Sequence, residues 1–380
     1  MSQIEKKCTA LCLVAQPGSS SRLSNYVGDW YGEHGYPLIK IDCRKYLWAR
    51  IWPALLAFHP HRDTWHRRRW EMGLYSPEAW HRHTRLNGKL LDRLLPPGGK
   101  ILQMSKEYFP HPDYRNREYY LFINYNARLA RDDGFTPWRP SRENEPRFIE
   151  LQDELFRSAT HVFTAGEYLR QNIIETSGVL PGRISSVGNG VSPYYLANMP
   201  ADVPSQFTHR LLFVGWDFGL KGGRDVLEAM PAIRARHPQV ELLIVGPDEA
   251  QQRQQGALGE QPGVRWLGNV KVTLEHYRSS DLFVLPSLRD SYGFVFLEAM
   301  SQGLPCLGAD INGMPEMIED GVTGYIVPRQ SPDALAAAVE RFYADPANKP
   351  RMAEAALRRV RERFTWDIVM GRINHVMGIG

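Results

Sequence analysis

No uninterrupted apolar run in the 380-residue sequence approaches the roughly 20 residues that span a bilayer. Its four cysteines, Cys8, Cys12, Cys43 and Cys306, fall into neither a paired metal-ligand spacing nor a disulfide framework. These absences argue against an integral membrane protein, a zinc ribbon and a disulfide-stapled secreted domain. An excess of one charge is missing too. The 46 basic residues face 42 acidic ones, and a net charge of +4 is too small to suggest a nucleic-acid binder. The stretch MSQIEKKCTALCLVAQPGSS places lysines before a short apolar run, but Pro17 and Gly18 break it too soon for a secretory leader. It reads as a first buried strand, and a cytoplasmic location is expected.

What is present is an alternation of short apolar runs with longer amphipathic ones, at a length that suggests two domains. That alternation predicts parallel sheets covered by helices, an α/β fold. TALCLVAQ reads as a strand, RLSNYVGDWYGEHG as a helix closed by Gly35, and PLIKIDC as a second strand. A second series, LLFVGW, VELLIVG, VRWLGNV, DLFVLPS, PCLGADI and TGYIVP, follows a linker near residues 198–209, and RERFTWDIVMGRINHVMGIG reads as one or two closing helices. Residues 85–150 have no clear period; a substrate wall and an ordinary surface excursion both fit this Tyr-, Arg- and Asn-rich segment.

The segment HPHRDTWHRRRW interleaves Arg67, Arg68 and Arg69 with Trp65 and Trp70. A packed helix with a solvated basic end is one reading. A peripheral membrane contact through Arg67–Arg69, at the inner membrane face, is the other, because Trp and Arg suit the headgroup layer. The nearby His59, His61, His66, His81 and His83 lack a carboxylate or cysteine completing a metal-site spacing, so no metal is expected.

Chemistry concentrates in the second half. In PSLRDSYGFVFLEAMSQGLP, a strand runs into a helix stopped by Gly303, and the turn between them carries Asp290 and Gly293. Parallel sheets bind ligands at this end of their strands. The first helical N–H groups lack internal partners and the helix dipole favours an anion. A phosphate approaching at Gly293 would leave Asp290 on the loop and Glu298 one to two turns on, each able to accept from sugar hydroxyls. The spacing therefore suits a nucleoside-diphosphate sugar; a capping Asp and a surface Glu fit it as well. Upstream, FVGWDFGLKGGRDVLEAM forms a strand, a glycine-rich turn, Lys221 and a helix. It does not match the GxxxxGK[ST] phosphate loop, but a lysine there can neutralise charge on a departing diphosphate.

These blocks, with HVFTAGEYLRQNI, SVGNGVSPYY, LGNVKVTLEHYRSSDLFVLPS and SPDALAAAVERF, resemble the retaining group 4 glycosyltransferases, also called glycosyl transferases group 1, in family order from about residue 160 to 345. The resemblance implies the GT-B architecture: two Rossmann-like parallel-sheet domains facing a central cleft. It suggests an acceptor-side domain over 1–203, a nucleotide-sugar-binding domain over 204–364, and a final helix, about 365–380, packing back on the first domain. It implies transfer of a sugar from a UDP- or GDP-sugar to a saccharide, lipid-linked or other hydroxyl acceptor, with retention, without metal or cofactor and without nucleic acid as a partner.

Carried over onto this chain, Lys221 resembles the phosphate-neutralising lysine and Asp290 takes the place of an acid, usually Glu, near the transferred sugar. Glu298 resembles the acid that holds the ribose. Gly293, Phe294 and Val295 would offer backbone amides, Val270 with Asn269 would line the base, and Gly18 would approach the phosphates. On the sugar and acceptor side, Asn124 and His111 are the nominees. Two departures stand out. Trp216 and Asp217 follow Gly215 where relatives carry Arg, so Arg224 or Arg289 must supply the second cation, Arg224 being the choice; and Asp290 is one methylene short. Those departures keep open a non-catalytic nucleotide-sugar-binding or scaffold protein, and a sugar-nucleotide epimerase is the other alternative.

Overall fold

A computed structural model describes residues 11–14, 21–41, 57–61, 64–65, 69, 71–134, 140–203, 205–254 and 262–379. Gly18, Arg67 and Arg68, named above, lie outside the described residues.

The chain divides into two compact units, residues 1–188 with 370–380, and residues 189–369. The first is built on a parallel sheet of six strands: β1 (Leu11–Val14), β2 (Leu38–Ile41), β3 (Lys100–Gln103), β4 (Tyr119–Ile123), β5 (His161–Thr164) and β6 (Ile184–Ser186). Their order is β2-β1-β3-β4-β5-β6. The chain steps from β1 to β2 on one side and returns on the other side as β3, so the order reverses between β1 and β3. β4 is buried along its whole length, as expected of a strand covered on both faces. Aromatic side chains of the helices Pro77–Leu94 and Glu145–Ser158 fill one layer: Trp80 meets Phe148 edge to face at a centroid distance of 5.4 Å. The helix Pro77–Leu94 begins where Ser76 accepts from Ala79 N–H at 3.2 Å and Pro77 takes the first turn.

The second unit holds β7 (Arg210–Val214), β8 (Glu241–Val245), β9 (Val264–Gly268), β10 (Leu282–Leu285), β11 (Cys306–Ala309) and β12 (Gly324–Val327). Their order is β12-β11-β10-β7-β8-β9, all parallel, and it reverses between β7 and β10. Every strand expected in this half is present. β10 reads LFVL and is wholly buried at the centre of the sheet.

Residues 189–203, assigned to the first domain by the sequence reading, group with the second unit. Hydrogen bonds explain this. Val191 N–H donates to Phe364 O at 2.8 Å, and Gln302 Nε2 donates to Tyr195 O at 3.1 Å. Gly190 lies against the Trp366 ring with no room for a Cβ, which would come within 2.5 Å of it. The helix Trp366–Met377 changes unit at Met370. In the first unit its Asn374 accepts from Tyr31 Oη–H at 2.6 Å, and Arg372 Nη1 donates to Val187 O at 2.9 Å.

Candidate functional site

The loops after β7 and β10 leave the sheet of the second unit on either side of its reversal point, where α/β sheets hold ligands. The β7 loop is a tight turn. Asp217 Oδ1 accepts from Leu220 N–H at 3.0 Å, and Lys221 and Gly223 N–H return to Asp217 O and Phe218 O at 2.9 and 2.8 Å. Phe218 anchors it, buried between Phe213 and Trp266 at 5.5 and 5.1 Å. Asp217, a departure from the family pattern, therefore shapes the turn. Gly222 has φ +73°, and a Cβ there would stand 2.1 Å from Pro286 O, so only glycine lets the two loops meet this closely. Leu288 N–H then donates to Leu220 O at 2.9 Å, stitching one loop to the other.

That seam brings together the two residues assigned to chemistry. Lys221 Nζ donates to Asp290 Oδ2 at 2.5 Å, and both side chains are largely buried. Asn312, from the loop after β11, donates through Nδ2 to Asp290 O at 2.6 Å and fixes the carboxylate's backbone. Gly293, at φ +68°, opens the helix Phe294–Ser301, with Phe294 and Val295 half-buried in its first turn. The first amides of such a turn have no intrahelical acceptor.

Glu298 sits in the second turn of this helix and accepts from Tyr277 Oη–H at 3.1 Å. Burial, then the neighbouring carboxylate, raises the Tyr277 phenol well above its ordinary range. The same causes push Tyr195 up to about 12, so both remain neutral donors. Farther along the sheet, Gly215 and Gly246 directly follow β7 and β8, and β9 ends on Gly268. A Cβ on Gly246 (φ +117°) would meet Gly215 O at 2.2 Å, and Gly246 N–H donates to Gly268 O at 2.8 Å. Val270 follows this bare edge and is 42% exposed. Trp216 is 73% exposed at the end of β7, and Arg224 is exposed on the first turn of the helix Gly223–Arg236.

In the first unit the two nominees are not brought together. Asn124 directly follows β4, at the ligand end of its sheet, and its carbonyl accepts from Tyr168 Oη–H at 2.9 Å. His111 lies toward the opposite end of that strand. Its Nε2 is 3.1 Å from Asp92 Oδ2 and 3.2 Å from a nitrogen of Arg117, which precedes β4, and its Nδ1 accepts from Asp113 N–H at 2.9 Å. The Asp92 carboxyl is held below its ordinary range by the bond to His111 and by Arg117. Both ring nitrogens of His111 thus have partners that tie its loop to the helix Pro77–Leu94.

Sequence reasoning missed Tyr195, Tyr277 and Asn312, which join the site from elements distant in sequence and left no local signal. Among the described residues there is no cluster of three His, Cys, Asp or Glu side chains able to hold a metal ion, and no helix is long and apolar enough to cross a membrane. Arg69 stacks over the Trp65 ring at 5.6 Å.

Two six-stranded parallel sheets with helices, with strand-end loops converging at the second sheet's reversal point, define a glycosyltransferase architecture of the GT-B type. Residues 208–345 match the family model described as glycosyl transferases group 1. It is 30% identical over 231 residues to a glycogen synthase of Mycobacterium tuberculosis, covering 58% of this chain and 54% of the relative. It is 31% identical over 196 residues to a phosphatidyl-myo-inositol mannosyltransferase of Mycobacterium leprae, covering 50% and 52%. A D-inositol 3-phosphate glycosyltransferase of Streptomyces avermitilis is 31% identical over 266 residues, covering 64% and 55%. The chain spans about half the length of the curated relatives it matches. Among solved structures, a sucrose-phosphate synthase from Thermosynechococcus elongatus is similar in fold at TM-score 0.64 and 17% identity, over 97% of this chain and 99% of that one. HepE of Anabaena, solved in complex with UDP, gives TM-score 0.62 and 16% identity over 97% and 99%.

Proposed function

We propose that the protein transfers a sugar from a nucleoside-diphosphate donor, UDP- or GDP-linked, to a hydroxyl acceptor, with retention of anomeric configuration and without metal. The observation that carries this reading is the Lys221–Asp290 pair, held at the reversal point of the second sheet beside the helix that starts at Gly293. The diphosphate lies against that helix start and draws Lys221 toward itself. As the bond from the anomeric carbon to the diphosphate breaks, the electron pair leaves with the phosphate, and Lys221 and the first helical amides stabilise the growing negative charge. Asp290, released from the ammonium, faces the transferred sugar. The new bond forms to the acceptor oxygen, whose proton passes to an oxygen of the departing diphosphate. Glu298, oriented by Tyr277, accepts from the ribose hydroxyls, Val270 borders the base, and Arg224 supplies the second cation that Trp216 does not. The reaction is expected in the cytoplasm. HepE, solved with UDP, supports a UDP donor.

A thermal-shift panel of UDP, GDP, ADP and CDP and their sugar adducts, with and without EDTA, tests the reading. A ligand at about a hundred times its dissociation constant stabilises by roughly 2.7 kcal/mol. One nucleotide should stabilise the wild type, ignore EDTA and lose its effect in Glu298→Ala. Equal response of the variant would make the two carboxylates structural.

A further inference from the structure

The loop after β11 is held from both sides. Asp310 N–H donates to Val327 O at 3.0 Å and Ile311 N–H to Ala309 O at 2.9 Å, which fastens its start to the sheet. Met314 N–H donates to Ile311 O at 3.1 Å, so residues 311–314 form a four-residue turn. At the far end Arg359, on the helix Asn348–Arg363, donates through Nε to Met317 O at 2.8 Å and through Nη2 to Glu316 O at 3.0 Å. The loop is thus a fixed platform against the helix start: a Cβ on Gly293 would lie 3.5 Å from Met317 Cε.

The first central position of this turn suits glycine. Asn312 there has φ +46°, and Gly313 follows at φ −79° and ψ −3°, signs that fit a type II′ turn. Glycine takes a positive φ at no steric cost, whereas any side chain holds a sparsely populated backbone. What the asparagine adds is reach. Its Nδ2 donates to Asp290 O at 2.6 Å, across to the loop after β10. Asp290 is therefore held twice, by Asn312 at its backbone and by Lys221 at its carboxylate, the latter at 2.5 Å. The two holds differ in kind. An anion competes for the lysine, but a neutral amide bonded to a backbone carbonyl offers it no charge to draw away.

We propose that Asn312 is a positioning residue for Asp290, holding its carboxylate on Lys221 in the empty site and toward the transferred sugar once the diphosphate takes the lysine. This rests on the transferase reading above and deepens it. An uncharged side chain on a third loop sets how strongly the internal ion pair competes with the donor.

Titration calorimetry with UDP and with GDP on the full chain tests this, in a double-mutant cycle with Asp290→Asn. Asn312→Gly removes the amide and relieves the backbone. Whichever nucleotide binds the wild type should then bind about 2- to 10-fold more tightly, the worth of one hydrogen bond that holds a competitor in place. Its melting temperature should not fall. Asn312→Ala removes the amide but keeps the strained backbone, so it should tighten binding to a similar degree and melt lower. In the Asp290→Asn background neither substitution should change affinity further, because the competing carboxylate is gone. A merely structural asparagine would weaken nucleotide binding in step with lost stability. That result would overturn the proposal, as would an unchanged affinity or a gain that persists in Asp290→Asn. A wild type that binds neither nucleotide defeats the transferase reading itself, and the proposal with it.

Discussion

Lys221 and Asp290 stand 69 residues apart in sequence and 2.5 Å apart in space, joined across the two loops that flank the reversal point of one sheet. Each neutralises the other until an anion competes for the lysine. Lys221→Ala should lower turnover by about 10²–10³-fold, the usual cost of losing one preorganised donor to a departing oxyanion. Asp290→Asn should lower turnover while tightening nucleoside-diphosphate binding, because the internal competitor for Lys221 is gone. Steady-state kinetics with nucleotide calorimetry check both, and weaker nucleotide binding in Asp290→Asn would contradict the competition.

Tyr277 orients Glu298 through one hydrogen bond of 3.1 Å. Tyr277→Phe should cost about 1.5–3 kcal/mol of nucleotide binding at most, since the acceptor is charged. Binding of a 2′,3′-dideoxy nucleotide should be far less affected. Equal loss for both nucleotides would mean that Tyr277 supports the packing and not the ribose acid.

Gly222 should be intolerant of any side chain. Alanine there meets Pro286 O and must hold a left-handed backbone, so Gly222→Ala should destabilise the protein by roughly 1–3 kcal/mol or more and impair nucleotide binding. Gly268, whose Cβ would meet nothing within 4 Å, is the internal control: it has the same backbone sign without the clash. Thermal unfolding of the two variants separates strain from collision.

Trp216 is exposed, so Trp216→Ala should change stability by no more than about 0.5 kcal/mol. Trp216→Arg should strengthen nucleoside-diphosphate binding, and Arg224→Ala should weaken it. Calorimetry on the three variants decides which side chain carries the second positive charge.

Acid should destabilise the fold through two histidines. Burial and Arg183 lower the pKa of His161, and burial, His209 and Arg236 lower that of His237. In the folded protein both bind fewer protons than in the unfolded chain. Their neutral forms leave stability intact above about pH 6.5, and stability falls as the pH drops through that value toward the depressed ones. Melting temperature should therefore decline between about pH 7 and pH 5, less steeply in His161→Gln and His237→Gln.

The second unit was legible because its strands are largely apolar runs punctuated by turns, and its candidate site residues lie where strands give way to helices or just beyond. Lys221, Asp290 and Gly293 occupy such junctions, and Glu298 lies one turn into the helix that follows. Tyr195 and Tyr277 could not be read this way, since each reaches Glu298 from an element whose local pattern says nothing of that neighbour. In the first unit β3 and β4 are four and five residues long, and between them lies a loop whose hydrogen bonds run to Gln152, Thr84 and Asn87. Nothing local encodes those pairings, so residues 85–150 showed no period. His111 was a nominee because the family resemblance implies a histidine or other polar residue after a middle strand. Its partners Asp92 and Arg117 are brought to it only by the fold.

The placement of β10 beside β7 also dictates when the site can exist. During synthesis β7, β8 and β9 emerge first and can pair in sequence, leaving the other edge of β7 open until β10 arrives. At about 5–20 residues per second, the 69 residues from Lys221 to Asp290 take roughly 3–14 seconds to be made. Through that interval the nascent chain has an unguarded sheet edge and a lysine without its carboxylate. A ribosome-bound intermediate stalled before Leu282 should therefore be the aggregation-prone species, and nucleotide cannot rescue it because half of the binding site has not yet been translated.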